Sequence, residues 1–352
     1  MQKIQRYYRI WREYYRFASS LTLIMCAFGT LHGLLTGRPF EALILLMLAA
    51  FEINVSFDNA AVNATCVKQL SEQWQQYFLR WGILIATFGM RLAVPIAAVS
   101  IGGRINPVKA ASLAVTDQHQ YGAYLALAQR PVMVFGGVFL LQIFTSFIFD
   151  ADAKNGVAWF VRLESRLERV GERFNPVRLA FVAALVAVVV TATVRSDHLV
   201  AGISGACGIA LYTPIGWLSS KLNKPAGRRD LVGREALMVF LYLELQDAMF
   251  SFDSAFGGFG YTLDVVLLTL GLGVGAAYVR SMTIYMVKED TLSKLPYLGH
   301  GAYAAIGVLS LSMLSGVSDL WSGGASMLLI AMAVLRSLYT NRRKEPAPAA
   351  AP

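Results

Sequence analysis

Two short stretches hold the residues best equipped for chemistry. One is Glu52-Ile-Asn-Val-Ser56-Phe57-Asp58-Asn59, the other Asp247-Ala-Met-Phe-Ser251-Phe252-Asp253-Ser254. Aligned without a gap, each reads acid, three residues, Ser-Phe-Asp, then a small polar residue. Glu244 lies one helical turn before Asp247, and an arginine, Arg91 or Arg280, sits in the apolar run that follows each motif. Both motifs are themselves inside apolar runs. A carboxylate at the centre of a bilayer costs roughly 2.5–3.5 kcal/mol, so Glu52, Asp58, Glu244, Asp247 and Asp253 amount to on the order of 12–17 kcal/mol if additive. They must face water, protons, arginines or cations. Arg91 and Arg280 can neutralise two of them, and a divalent cation is the natural occupant for others. Carboxylates, the amide oxygens of Asn54, Asn59 and Asn63, and the hydroxyls of Ser56, Ser251 and Ser254 are hard oxygen donors, suited to Mn²⁺, Mg²⁺ or Ca²⁺.

Helical spacing adds a constraint. Glu52, Ser56, Asn59 and Asn63 recur at intervals of four, three and four, and so share one face. Asp58 stands six residues after Glu52, about 120° away on an ideal helix. The same offset separates Asp247 from Asp253. If all four acids point at one site, each helix must be unwound or kinked near its Ser-Phe-Asp, as in transporters whose broken helices line an ion site. Gly257-Gly258-Phe259-Gly260 offers the second motif's helix a place to end. A simpler role exists for any one of these residues. An intramembrane Asp can serve only as a salt-bridge partner, Asp58 with Arg91 for example, and Ser or Asn can merely join helices. The duplication of the whole motif favours a shared site.

The elements that must carry these residues are membrane helices. Of 352 residues, 56% are hydrophobic and 15% charged, against about a quarter charged in soluble domains. Long apolar runs mark spans at about 18–36, 40–66, 80–101, 131–150, 178–194, 199–219, 235–256, 263–287, 300–318 and 322–340. The fold expected is all-α, a polytopic membrane protein of about 9–10 transmembrane helices. The fifth and sixth spans, joined by Arg195-Ser196-Asp197-His198, are the least distinct. Lys and Arg are partitioned 23 to one side and 5 to the other, with Arg91, Arg280 and Arg336 inside spans. Positive charge favours the cytoplasm, which puts both termini there. Residues 1–17 form a cytoplasmic segment, 18–340 one transmembrane domain, and 341–352, rich in Pro and Ala, a disordered cytoplasmic tail. The second and seventh spans then cross in opposite directions. Spans 2–4 (about 40–150) and 7–9 (about 235–318) read as inverted repeats, with spans 1, 5, 6 and 10 peripheral.

The remaining features are less specific. The net charge of +9 belongs to loops and to anionic lipid rather than to nucleic acid. Cys26, Cys66 and Cys207 lie alone, with no C-x-x-C, and His32, His119, His198 and His300 are scattered, which reads as packing. Zn²⁺ and Cu⁺ are disfavoured. Residues 157–174 form an amphipathic helix, with Phe160, Leu163, Leu167, Val170 and Phe174 on one side and Arg162, Arg166, Arg169 and Arg173 on another, suited to the inner leaflet. The 102–130 loop shows some helical pattern and nothing more.

At its motifs the sequence resembles the TerC family of integral membrane proteins, named for tellurium resistance. That family carries an acid six residues before Asp-Asn in one half, matched by Glu52 and Asp58-Asn59. In the other half it carries Glu-x-x-Asp-x-x-Phe-x-x-Asp-Ser, matched by Glu244, Asp247, Phe250, Asp253 and Ser254. Trp81–Arg91 and Val279-Arg280-Ser281 resemble a longer subfamily of conserved membrane proteins. That subfamily has a Glu before the His in span nine, where this chain has Gly299 beside His300. The likeness covers about residues 40–320. It implies the inverted-repeat fold of the lysine-exporter-like superfamily and cation export, with Mn²⁺ the favoured substrate.

The expected function is therefore a divalent metal transporter, a Mn²⁺ exporter with Ca²⁺ or Mg²⁺ as alternatives. Glu52, Asp58, Asn59, Glu244, Asp247 and Asp253 would hold the ion between two broken helices, supported by Ser56, Asn63, Ser251, Ser254, Arg91 and Arg280. The expected partners are the lipid bilayer, the metal ion and protons as coupling ion. The expected location is the cell membrane, the inner membrane of a bacterium, with no tightly bound cofactor. Two other readings compete. One is a membrane scaffold in a metal or tellurite stress response, with structural acids. The other is an intramembrane enzyme, disfavoured because no H-E-x-x-H motif, Ser/His pair or His-rich triad accompanies the acids.

Overall fold

The structure is a computed structural model that describes residues 11–37, 40–154, 157–194, 197–222, 230–316 and 319–344. It is helical almost throughout, because a chain this apolar satisfies its backbone polar groups most completely within helices. In chain order the helices are α1 (Arg16–Thr36), α2 (Glu41–Val55), α3 (Phe57–Val67), α4 (Glu72–Gly102), α5 (Pro107–Thr116), α6 (Gln118–Phe149), α7 (Val161–Phe174), α8 (Pro176–Val194), α9 (His198–Leu222), α10 (Gly233–Gly258), α11 (Val265–Lys288), α12 (Leu298–Ser315) and α13 (Asp319–Lys344), besides short turns. Among the described residues eight are long and apolar enough to cross a membrane: α1, α4, α6, α8, α9, α11, α12 and α13. The chain is a multi-pass membrane protein. The other two expected spans, α2–α3 and α10, are those that carry the acidic motifs.

Burial sorts the helices. In the apolar window of α11 78% of residues are buried, in α6 and α12 61%, but in α1 only 17% and in α8 and α13 22%. The poorly buried helices are three of the four expected at the periphery, and their outward Leu, Val and Ile side chains face where lipid would lie. The core lies where α3, α10, α6 and α12 meet, with Val62, Phe139, Leu140, Met249, Phe250, Ile306 and Met313 packed together.

Several boundaries differ from expectation for local reasons. The 102–130 loop is mostly helix. Asn106 caps α5, its side chain accepting from the Val108 amide at 2.8 Å with Pro107 at the first position, and Asp117 caps α6 by accepting from the Gln120 amide at 2.9 Å. Helix α6 then runs through Pro131, so the fourth span begins 13 residues earlier than its apolar run. Helix α13 continues to Lys344, so the first residues of the expected tail, 341–344, are helical. There the Asn341 amide donates to the Lys294 carbonyl at 2.7 Å. Residues 345–352 lie outside the described part.

Candidate functional site

The first motif is kinked and the second is not. At Ser56 the backbone leaves the helical range (φ −99°, ψ 16°), separating α2 from α3. The Ser56 hydroxyl donates to Glu52 Oε1 at 2.8 Å instead of to a carbonyl one turn back. In α10 the hydroxyls do the opposite. Ser251 donates to the Asp247 carbonyl at 2.7 Å and Ser254 to the Ser251 carbonyl at 3.3 Å. Both hydroxyls stay within their own helix, which runs unbroken from Gly233 to Gly258. The expectation of two broken helices is thus corrected to one. Ser251 and Ser254 spend their protons on the helix backbone.

The acids fall into two sets. In the first, Arg91 Nη2 donates to Glu52 Oε1, while Arg91 Nη1 donates to the Ala86 carbonyl at 2.9 Å. Arg91 sits in a π-helical stretch of α4, Ile85–Ala93, a feature common at functional positions. Arg280 makes a bidentate pair with Glu244 at 2.9 Å for both bonds and reaches Asp247 Oδ2 at 3.0 Å. Its guanidinium also lies 4.4 Å over the Phe78 ring. Asn59 Nδ2 donates to Asp247 Oδ1 at 2.7 Å, tying α3 to α10. Arg91 therefore pairs with Glu52, and the alternative pairing with Asp58 is not formed. All these side chains are buried.

Two glycines make the arrangement possible. A Cβ on Gly82 would collide with Arg280 Nη1 and come within 2.7 Å of Glu244 Oε1, and one on Gly275 would overlap the Glu52 side chain. Helices α4 and α11 can close over the ion pairs only because these positions lack side chains.

The second set is Asp58 and Asp253, the aligned acids of the two motifs. Both line one cavity of about 30 Å³ together with Asn54, Leu309, Ser322, Ser326 and Ile330. A water needs about 10–15 Å³ of such space, so there is room for an ion and one or two waters. Asp58 Oδ1 accepts from the Asn59 amide at 2.8 Å at the start of α3. Ser322 and Ser326 were invisible in the sequence, since they belong to a tenth span with no motif. On the face shared with Ser56, the acceptors Glu52 Oε2, Asn59 Oδ1 and Asn63 Oδ1 are buried with no hydrogen-bond partner. Three acceptors of this kind, on the two sides of the kink at Ser56, suit a cation better than a packing seam.

Sequence reading also missed His32, Glu41 and Asp264. These come from the end of α1, the first turn of α2 and the cap of α11, and their ligand atoms all lie within 4.8 Å of one another. His32 Nδ1 and Glu41 Oε2 are 2.5 Å apart, while Asp264 Oδ1 accepts from the amides of Val266 and Leu267. Glu41 and Asp264 are buried. This is a His/Glu/Asp group of a kind that can hold a divalent cation. In the sequence, Glu41 and Asp264 look like ordinary acids at helix starts, and His32 looks like packing. Among the described residues the five acids of the motifs do not gather as three ligands in this way.

His300 takes a structural position. Its Nε2 lies 3.2 Å from Glu164 Oε2, which joins α12 to the amphipathic α7.

No curated protein and no solved structure matches the chain. One family model does, that described as Protein of unknown function (DUF475), and it matches residues 57–344, from Phe57 through α10 and Arg280 to the end of α13. That match takes in well over half of the 352 residues, and the chain belongs to the DUF475 family.

Proposed function

We propose that the protein is a divalent-cation transporter, with Mn²⁺ the favoured ion, built as ten spans with inverted repeats in spans 2–4 and 7–9 and both termini cytoplasmic. The observation that carries this reading is that Asp58 and Asp253, equivalent in the two motifs, line the same ion-sized cavity. Two aspartates from facing helices, joined by Asn54 and two serine hydroxyls, make an all-oxygen site of the type hard divalent ions prefer. The pairs Arg91–Glu52 and Arg280–Glu244–Asp247 offset two of the negative charges and hold α2, α4, α10 and α11 in register. Five acids against two arginines leave three negative charges, enough for a divalent ion and a proton. The likeness to the TerC motifs supports the same reading, with export as the direction and an inner membrane as the location.

The test is Asp58→Asn and Asp253→Asn in purified protein reconstituted into proteoliposomes. Each substitution keeps the size and removes the anionic oxygen that must replace the ion's hydration shell. Each should abolish Mn²⁺ flux while thermal stability stays near that of the unaltered chain. If both variants bind and move Mn²⁺ normally, the reading fails. Loss of stability in place of flux would favour the scaffold reading, in which the acids only pack.

A further inference from the structure

The ends of three mutually packed helices meet away from the acidic motifs. His32 lies one turn before the end of α1, Glu41 opens α2, and Asp264 caps α11. One ligand atom from each lies within 4.8 Å of the other two. Around an ion with bonds of about 2.0–2.2 Å, ligand atoms on opposite sides stand about 4.0–4.4 Å apart, so a small approach closes the group. Its members are already oriented. Asp264 Oδ1 accepts from the Val266 and Leu267 amides at 3.0 and 3.1 Å, which fixes that carboxylate at the helix end. The half-buried His32 ring stacks on Phe28, with 6.1 Å between centroids and 17° between planes, and its Nδ1 faces Glu41 Oε2. Neighbours that are not ligands commonly hold metal-binding side chains in this way.

The group is separate from the cavity at Asp58 and Asp253. Glu41, Leu45, Leu48 and Glu52 recur at helical spacing on one buried face of α2. That face packs on α11, and the two helices run in the same direction, for Gly271 lies against Leu48 and Gly275 against Glu52. The buried leucines Leu48, Leu268 and Leu272 fill the seam between the outer group and Glu52. About 16 Å of helix lies between Glu41 and Glu52.

We propose that His32, Glu41 and Asp264 form a second divalent-cation site, independent of the transport cavity, that clips α1 to α2 and α11. One imidazole nitrogen with two carboxylate oxygens suits a first-row ion such as Zn²⁺ better than Mg²⁺ or Ca²⁺, which prefer oxygen alone. A cation there offsets two carboxylates that are only 2% and 6% exposed. The clip matters most for α1, because only 17% of its apolar window is buried and packing alone holds it weakly. On the orientation proposed above, the site faces outward and its occupancy follows external metal. In the sequence Arg38 stands between His32 and Glu41 and is the rival counter-charge.

The test uses the full chain carrying Asp58→Asn and Asp253→Asn, purified in detergent and stripped of metal, so that the transport cavity contributes no anionic ligand. In equilibrium dialysis Zn²⁺ should bind at about one ion per chain and, as its concentration passes the dissociation constant, raise the melting temperature. Adding His32→Gln should weaken binding at least about ten-fold and remove the Zn²⁺-dependent shift. Asp264→Asn, which keeps the helix cap, should do the same, and metal-free melts check that each variant is folded. No Zn²⁺ bound to the parent chain, as Arg38 in the site would produce, overturns the proposal. So does Zn²⁺ binding that both added substitutions leave unchanged, or Mg²⁺ binding of equal strength. The measurement requires no transport. A chain that binds Zn²⁺ here but moves no metal refutes the transport reading alone, and a transporting protein whose Asp58→Asn, Asp253→Asn form binds no Zn²⁺ refutes the second site alone.

Discussion

Arg280 holds Glu244 through two bonds and Asp247 through a third, all below water's reach. Removing one member of such a pair leaves a charge with no partner, which costs about 3–5 kcal/mol. Arg280→Met should therefore lower thermal stability far more than Asp253→Asn, which keeps the size of a side chain that lines a cavity. Adding Glu244→Gln and Asp247→Asn to Arg280→Met should restore part of the loss. Arg336 supplies the control, since it lies 4.9 Å over the Tyr297 ring near the end of α13 and its side chain can extend toward water. Thermal unfolding in detergent separates these cases. Equal melting of the Arg280 and Arg336 variants would remove the argument that the pairs organise the core.

Helix α4 approaches the Arg280–Glu244 pair through Gly82, and α11 approaches Glu52 through Gly275. Gly82→Ala and Gly275→Ala should each destabilise by about 1–3 kcal/mol through overpacking; Gly299→Ala, with nothing nearby, should not. Circular dichroism melts would reveal the difference, and three equal melts would contradict the close approach. Helix α7 gives a second prediction. Burial alone would raise the Glu164 carboxyl, but the Phe160 amide, His300, the Trp159 amide and Lys154 outweigh it and hold it below the ordinary glutamate range. A depressed carboxyl contributes stability above its released pKa and loses it as pH falls through the lower, docked value. Acidification below about pH 4 should loosen α7, seen as faster hydrogen exchange over 161–174, and Glu164→Gln should flatten that dependence. Much of this scale was legible in the sequence: the apolar runs marked the spans, and the arginine stripe marked α7. What was hidden had long-range causes. Glu52 and Arg91 are 39 residues apart, and Glu244 and Arg280 are 36, so composition could not say which acid each arginine takes. Both motifs read Ser-Phe-Asp, yet only Ser56 turns its hydroxyl to a carboxylate, and only that helix kinks. His32, Glu41 and Asp264 meet through three helix ends that no local pattern connects.

At the scale of the whole chain, the 23-to-5 partition of Lys and Arg makes orientation testable. Single cysteines replacing Thr36 and Phe259 should label from outside and one replacing Pro225 from inside; external labelling at 225 would break the inverted-repeat assignment. The acidic character of α10 carries a consequence for how the protein is made. With Glu235, Glu244, Asp247 and Asp253 along it, α10 falls outside the helices apolar enough to cross alone, and each central acid opposes partitioning by roughly 2.5–3.5 kcal/mol. The next helix, α11, brings the arginine that pairs with two of those acids, Glu244 and Asp247. A ribosome releasing α10 would thus present the translocon with a segment that lingers at the interface until Arg280 has been synthesised, after which the two enter together as a hairpin. In an arrest-peptide force profile, pulling should be weak as α10 emerges and strong once α11 follows, and Arg280→Met should reduce that second pull.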